Sequence, residues 1–158
     1  MRILAIIIFT SIAFVGQPRI ARALDDATAL SGLTSVRAIY DVRTNDEKTL
    51  QFIFTVIRDT YDETMQQDVK ARYVVSMRGP TVKLLVRSRA GEAALQEKTV
   101  RLINELNQRG IRLEACGYAL DLFGVEPEDL YQGIVSVGNS LNSVIGYQIK
   151  GYSLVSMN

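Results

Sequence analysis

The chain has 158 residues, a formal net charge of +1 and one cysteine, with 47% hydrophobic and 22% charged residues. This composition can fill one buried core, and it excludes an intrinsically disordered chain. One cysteine excludes an intrachain disulfide framework. The absence of histidine excludes Ser-His-Asp and Cys-His catalytic groups and removes the usual ligands of zinc and blue-copper sites, so we expect no metal site.

The first 23 residues have the layout of a secretory signal peptide. Arg2 precedes residues 3–16, which are uncharged and almost wholly apolar, and the segment ends in the small-x-small pattern Ala21-Arg22-Ala23. The apolar stretch is short for a transmembrane helix. We expect cleavage after Ala23, a periplasmic mature protein and no stable membrane insertion after cleavage. The alternative is an uncleaved N-terminal anchor.

Cleavage would remove three of the 18 basic residues and none of the 17 acidic ones, leaving a mature chain of net charge −2. Such a chain has no overall basic surface, so nonspecific nucleic-acid binding is not expected. The mature chain has the length of one domain. Residues 24–35 are predicted to be a flexible leader, and residues 36–158 the folded domain.

Strand and helix patterns alternate along this domain. The strands are predicted at residues 36–42, 71–77, 111–115, 133–138 and 152–155. The helices are predicted at residues 47–65, 81–89, 92–109, 117–123 and 140–150, with one further turn near 127–130. Thr44 and Glu47 have capping-box spacing at the start of the first helix, and Asn139 is predicted to cap the last. This alternation predicts a three-layer α/β/α sandwich with a mainly parallel five-stranded sheet.

Distinctive residues follow three of the predicted strands. Asn45 follows the first strand, Arg78 and Gly79 follow the second, and Cys116 and Gly117 follow the third. Ligands of open parallel sheets bind at the carboxyl ends of the strands, where helix N-termini converge. These five residues are therefore the candidate binding or catalytic residues, with Cys116 as the reactive one.

Cys116 has two interpretations. At a strand-to-helix turn, unpaired N–H groups and the helix dipole favour a thiolate, and Arg78 would add positive charge if the second and third strands are neighbours. Gly117 would then leave room for a second reactant. Alternatively, Cys116 is a buried small hydrophobic residue, which is a common environment for a free cysteine. Exposure of the sulfur distinguishes the two interpretations.

Two other features have weaker functional interpretations. Gly79-Pro80 with Lys83 and Arg87 could form an anion site, but the segment is not a Walker A motif, and a solvated helix face is the favoured explanation. Asp41 could titrate, but the sequence suggests no partner for it.

Several segments resemble one known family. They are GIRLEACGYAL at residues 110–120, GVEPEDL at 124–130, GI at 133–134, QIKGY at 148–152 and RGPTVKLL at 78–85. Together they resemble the DsrE/DsrF-like family. The resemblance implies a five-stranded α/β/α fold and a homo-oligomer, either a trimer or a hexamer. It further implies that Cys116 carries sulfane sulfur as a persulfide between a donor and an acceptor protein, without a cofactor.

The sequence thus supports a leading hypothesis and two alternatives. The leading one is a periplasmic sulfur carrier that uses Cys116. The first alternative is a non-catalytic oligomeric module that binds a small anion or a protein partner, with Cys116 structural. The second, a nucleotide-binding domain, is disfavoured because no G-x-G-x-x-G motif follows the first strand.

Export can be tested directly on the native host. We expect N-terminal sequencing of the purified protein to begin at Leu24, because signal peptidase would cut after the small residue Ala23. Membrane-bound protein that retains Met1 would contradict export with cleavage and would support the anchor instead.

Overall fold

Five strands form one sheet in the computed structural model, which describes residues 27–87 and 97–158. The strands are β1 (Ser35–Val42), β2 (Lys70–Met77), β3 (Arg112–Cys116), β4 (Ile134–Val137) and β5 (Ser153–Met157). They are arranged in the order β4-β3-β2-β1-β5, and every neighbouring pair is parallel. All five predicted strands are therefore present, and β2 and β3 are neighbours.

Helices cover both faces of the sheet. They are α1 (Ala27–Leu30), α2 (Glu47–Gln66), α3 (Glu97–Gln108), α4 (Gly117–Phe123) and α5 (Ser140–Ile149), with 3₁₀ helices at Gly79–Leu84 and Pro127–Asp129. The larger core includes side chains of α2, α3 and α4, whereas Val144 of α5 packs against Ile39 and Val74 on the opposite face. The predicted α/β/α sandwich is confirmed. No helix among the described residues is long and apolar enough to cross a membrane.

The first turn of α2 is capped differently from the prediction. Asp46, not Thr44, is the N-cap residue, and its carboxylate accepts hydrogen bonds from the backbone N–H and the hydroxyl of Thr49, at 2.7 and 2.8 Å. Thr44 instead exchanges hydrogen bonds with Thr81. This contact joins the segment after β1 to the segment after β2.

The helix predicted at residues 81–89 is present only as a 3₁₀ helix up to Leu84, and residues 85–87 are not helical. Residues 79–84 form a 3₁₀ helix that ends at Leu85, and Val86 then pairs antiparallel with Leu130. Arg87 N–H donates to the Asp129 carbonyl at 2.7 Å, and Tyr131 N–H donates to the Leu85 carbonyl at 2.8 Å. These long-range backbone bonds replace the helical ones. Residues 88–96 lie outside the described residues.

The predictions for residues 1–35 can be compared with the structure only in part. Residues 1–26, which include the predicted signal peptide, lie outside the described residues. The predicted leader is not wholly irregular, because Ala27–Leu30 form a helical turn and Ser35 already belongs to β1.

The chain changes face between β3 and β4. The helix after β3 packs into the larger core, whereas the helix after β4 covers the opposite face of the sheet. Neighbouring strands whose connections leave toward opposite faces open a crevice at their carboxyl ends, where α/β proteins bind ligands. Cys116 is the last residue of β3 and therefore lies at this crevice.

Gly117 allows close packing at the crevice. A Cβ atom at this position would lie 2.9 Å from the carbonyl oxygen of Val137 and 3.0 Å from that of Gly138. The start of α4 therefore packs directly on the backbone between β4 and α5. This corrects the expectation that Gly117 leaves room for a second reactant, because that space is already filled by backbone.

We predict that Gly117→Ala destabilises the fold. The added methyl group would overlap two backbone carbonyls that cannot rotate away, and overpacking of this kind costs about 1–3 kcal/mol. Chemical denaturation would measure the free energy of unfolding. Gly146→Ala is the matched control, because no atom lies within 4 Å of its Cβ position. We expect Gly146→Ala to raise the free energy of unfolding by about 1 kcal/mol, because alanine has a higher helix propensity than glycine. Equal stability of Gly117→Ala and the parent would contradict the prediction.

Candidate functional site

A cavity of about 580 Å³ lies at the carboxyl edge of the sheet. The ends of β1 and β2, the start of α4 and the start of α5 all contribute to it. Its lining residues are Arg43, Arg78, Gly79, Pro80, Cys116, Tyr118, Ala119, Leu122, Asn139, Ser140 and Leu141. The cavity therefore brings together Cys116, Arg78 and Gly79 of the sequence-predicted set. Gly117 and Asn45 are not lining residues.

Cys116 combines strand and helix positions at this cavity. It ends β3 and is also the N-cap residue of α4. The residue is only 6% exposed, and its sulfur accepts no hydrogen bond of standard geometry from the first turn of the helix. Cys116 is therefore largely buried yet borders an open cavity.

The surroundings of the sulfur favour its charged form. Burial raises the pKa of the Cys116 thiol, but the Ser140 hydroxyl and the backbone N–H groups of Ser140, Ala119 and Tyr118 together lower it more. The net pKa is therefore below that of an ordinary thiol. The Ser140 hydroxyl is fully buried, and its oxygen meets no hydrogen-bond partner of standard geometry in the described residues. A thiolate at Cys116 would supply the acceptor that this hydroxyl lacks.

Arg78 is held at the cavity by Asp41. Its Nε and Nη2 atoms each donate to one carboxylate oxygen of Asp41 at 2.7 Å, and Asp41 is only 4% exposed. This bidentate geometry fixes the plane of the guanidinium. The hydrogen bonds with Asp41 raise the pKa of Arg78, and the negative charge of an ionised Cys116 acts in the same direction. Arg78 is therefore a charged neighbour of the sulfur, as expected for neighbouring second and third strands.

The remaining lining is a second cation and an apolar wall. Arg43 has a half-exposed side chain, and its Nε lies 3.9 Å from Asp41. Pro80, Leu122 and Leu141 supply apolar surface, and Leu122 is 77% exposed. The cavity can thus accept a small molecule that carries negative charge beside the sulfur.

Lys83 and Arg87 do not form the anion site that was one interpretation of their spacing. Lys83 lies over the Phe123 ring, 5.1 Å from its centroid. Arg87 donates to the carbonyl oxygens of Leu130 and Glu128. Arg87 therefore fixes the loop before β4, and neither residue lines the cavity.

Sequence reasoning missed the roles of Asp41 and Ser140. The signal for Asp41 is that a carboxylate within a buried strand needs a charged partner, and Arg78 follows another strand of the same sheet. Ser140 gave no signal beyond its place after Asn139, which caps α5 by accepting the Leu141 N–H at 2.9 Å. Its position at Cys116 depends on tertiary packing.

Among the described residues, no three His, Cys, Asp or Glu side chains group as a metal site.

We predict that Ser140→Ala makes Cys116 harder to ionise. Loss of the hydroxyl removes a group that favours the thiolate, so the midpoint of alkylation rate against pH should rise, and the rate near neutral pH should fall severalfold. The parent midpoint should lie below that of free cysteine, about 8.5. Ser143→Ala, on the same helix but outside the cavity lining, is the control and should leave the midpoint unchanged. An unchanged midpoint in Ser140→Ala would contradict the prediction.

Three solved structures are similar to this fold. A protein of unknown function from Methanobacterium thermoautotrophicum, MTH1491, aligns with a TM-score of 0.64 and 19% identity, covering 77% of this chain and 98% of its own. The ychN protein from E. coli gives 0.58 and 10%, covering 78% and 98%. A protein of unknown function from Bacteroides thetaiotaomicron, BT1422, gives 0.53 and 18%, covering 78% and 94%. At these identities the likeness concerns the fold alone.

The sequence comparisons identify the family. No curated protein matches the chain. The family model described as the DsrE/DsrF-like family matches residues 5–157, which is nearly the entire sequence. This chain is therefore a member of the DsrE/DsrF-like family.

Proposed function

We propose that the protein is a sulfur carrier in which Cys116 accepts and donates sulfane sulfur as a persulfide. The Cys116 thiolate attacks the outer sulfur of a donor R–S–SH, the donor's S–S bond breaks, and the electron pair leaves on R–S⁻. Cys116 then carries S–SH. Attack by an acceptor thiolate on that outer sulfur reverses the exchange and returns the Cys116 thiolate. Sulfur is conserved in both steps, and no external oxidant or reductant is needed.

The observation that carries the proposal is the set of polar N–H and O–H groups around the Cys116 sulfur. The nucleophile in such an exchange is the thiolate, and the N–H groups of Tyr118, Ala119 and Ser140 with the Ser140 hydroxyl lower the pKa of Cys116 despite its burial. The same groups can stabilise the persulfide anion. Membership of the DsrE/DsrF-like family supports a role in sulfur relay.

Access from the cavity supports the same role. Cys116 borders a cavity of about 580 Å³, which lies within the usual range for small-ligand sites. The buried side of the cysteine protects a bound persulfide from solvent, while the cavity gives a donor or acceptor a path to it. Arg78 contributes a positive charge that favours both the thiolate and the anionic persulfide.

Location and assembly belong to the same proposal. The layout of residues 1–23 supports a carrier that acts in the periplasm after cleavage. Exposed apolar side chains at Leu141, Ile145 and Ile149 lie along one side of α5 and would suit contact with a second copy in a homo-oligomer.

A purely structural role for Cys116 is the second candidate. It is favoured by one observation, namely the 6% exposure of the residue. Under this alternative, the protein binds a partner or a small anion without covalent chemistry, and the thiol reacts only after unfolding.

The proposal can be tested by intact-mass spectrometry of the mature protein after incubation with polysulfide. We expect the mass to increase by one sulfur atom and to return to the starting value after treatment with dithiothreitol. Reversal by the reductant is essential, because a sulfinic acid adds nearly the same mass and is not reduced. Transfer to an added thiol acceptor should also restore the starting mass.

Cys116→Ser is the matched control and should show no reversible increase, since the chain has no other cysteine. A folded parent protein that gains no sulfur, and whose thiol resists alkylation until unfolding, would reject the carrier and favour the structural role.

A further inference from the structure

We propose that the cavity at Cys116 selects small anionic sulfur donors, with Arg43 and Arg78 as specificity-determining residues and Asp41 as the residue that positions Arg78. This inference rests on the proposed persulfide chemistry and adds the class of donor. The donors share one feature, a sulfane sulfur held close to negatively charged oxygen atoms, as in thiosulfate or a carboxylate-bearing thiol persulfide.

The charges lining the cavity are unbalanced. Two of its lining side chains, Arg43 and Arg78, are cationic, and none of its lining residues in the described part of the chain is acidic. Asp41 lies behind Arg78 and offsets one of these charges. Before Cys116 ionises, the group therefore has an excess of one positive charge. Once Cys116 is a thiolate, this excess offsets its charge and reduces repulsion of an incoming anion.

Arg78 retains donors for a ligand. A guanidinium has five N–H groups, and the two bonds to Asp41 use one from Nε and one from Nη2. No other side-chain or backbone acceptor among the described residues bonds to this guanidinium. About a quarter of the Arg78 side chain is exposed. The remaining N–H groups can therefore bind a carboxylate or sulfur oxyanion inside the cavity.

Asp41 determines where these donors point. It is almost fully buried on β1, and Arg78 follows β2, which pairs with β1 in register from Ser35–Lys70 to Val42–Met77. The two bonds of 2.7 Å hold the guanidinium in one plane at the edge of the sheet. The Nε atom of Arg43 lies 3.9 Å from the same carboxylate, so Asp41 interacts with both cations.

The walls favour small donors over large ones. Pro80, Ala119, Leu122 and Leu141 line the cavity with apolar surface, which can contact the non-polar part of a donor. The volume of about 580 Å³ suits a molecule of modest size. With thiosulfate, the Cys116 thiolate would take the outer sulfur, the S–S bond would break, and sulfite would leave with the electron pair. The products are the Cys116 persulfide anion and sulfite, so atoms and charge balance.

The first experiment compares two alkylating reagents that differ in charge. Iodoacetate is anionic and iodoacetamide is neutral, and the ratio of their rates at Cys116 is divided by the same ratio for free cysteine. We expect a normalised ratio severalfold above one in the parent and a severalfold decrease in Arg78→Gln and in Arg43→Gln. Arg101→Gln, on α3 outside the cavity, changes the net charge equally and should leave the ratio unchanged.

Variants of the ion pair separate positioning from charge. Asp41→Asn removes a negative charge, so a purely electrostatic role predicts a higher ratio, whereas loss of positioning predicts a lower one. We expect the lower ratio. Arg78→Lys keeps the charge but loses the bidentate geometry and should also lower the ratio, which provides the test if Asp41→Asn does not fold. A ratio that rises in Asp41→Asn, or is unchanged in Arg78→Lys, would overturn the positioning role.

The second experiment uses sulfur donors and distinguishes this inference from the proposed function. Persulfide formation at Cys116 is measured with thiosulfate, with glutathione persulfide and with a neutral alkyl persulfide. Faster loading from the anionic donors, lost in Arg78→Gln, supports the inference, and the faster of the two identifies the source of the anion. Equal loading from all three would overturn the inference and leave the carrier intact. No loading from any donor, with a retained preference for iodoacetate, would reject the carrier while upholding anion selection. A normalised iodoacetate ratio of one in the parent would overturn the inference.

Discussion

The contact between Gly117 and the backbone of Val137 and Gly138 governs the geometry of the site. It brings the first turn of α4 against the turn that starts α5, at carbonyl distances that admit no side chain. The N–H groups of Tyr118 and Ala119 come from one of these helix starts, and the N–H and hydroxyl of Ser140 come from the other. Without this close approach, only the polar hydrogens of α4 would lie near the sulfur of Cys116. The balance between burial and ionisation therefore depends on a glycine that lines no part of the cavity.

The second constraint is the order of the strands in the sheet, which places the segments after β1 and β2 along the other side of the cavity. Because β2 lies between β1 and β3, the segments after β1 and β2 end beside Cys116, and Thr44 and Thr81 bind each other across them. The ion pair of the buried Asp41 with the partly exposed Arg78 joins the same two strand ends. Removing Arg78 would leave the charge of Asp41 buried and uncompensated, which costs far more than the pair contributes. The cation beside the sulfur is therefore fixed by the fold rather than by its own side-chain preferences.

Much of this architecture could be predicted from the sequence, and the site only in part. Strands and helices follow from the alternating patterns and their capping residues, because those signals are local. The end of the helix at Leu85 could not be predicted, since residues 85–87 make backbone bonds to residues more than forty positions away. The same limit applies to Ser140. Cys116 and Arg78 both follow predicted strands and line one cavity, whereas Asn45 also follows a predicted strand and does not line it. The sequence pattern shows which residues lie at the carboxyl edge of the sheet. Tertiary packing determines which of their side chains line the cavity.

Burial usually makes a cysteine less reactive because it raises the pKa of the thiol. At Cys116, nearby polar groups counteract this effect of burial. An apolar environment alone would raise the pKa of the thiol and make it inert. At Cys116 the buried side supplies polar hydrogens, and the open side supplies a cation and a cavity. The Ser140 hydroxyl is the most informative of these groups, because a fully buried oxygen without a standard partner is costly in a resting protein. That cost is recovered when the neighbouring sulfur becomes negative. The arrangement is therefore suited to an anionic sulfur and poorly suited to a neutral buried thiol.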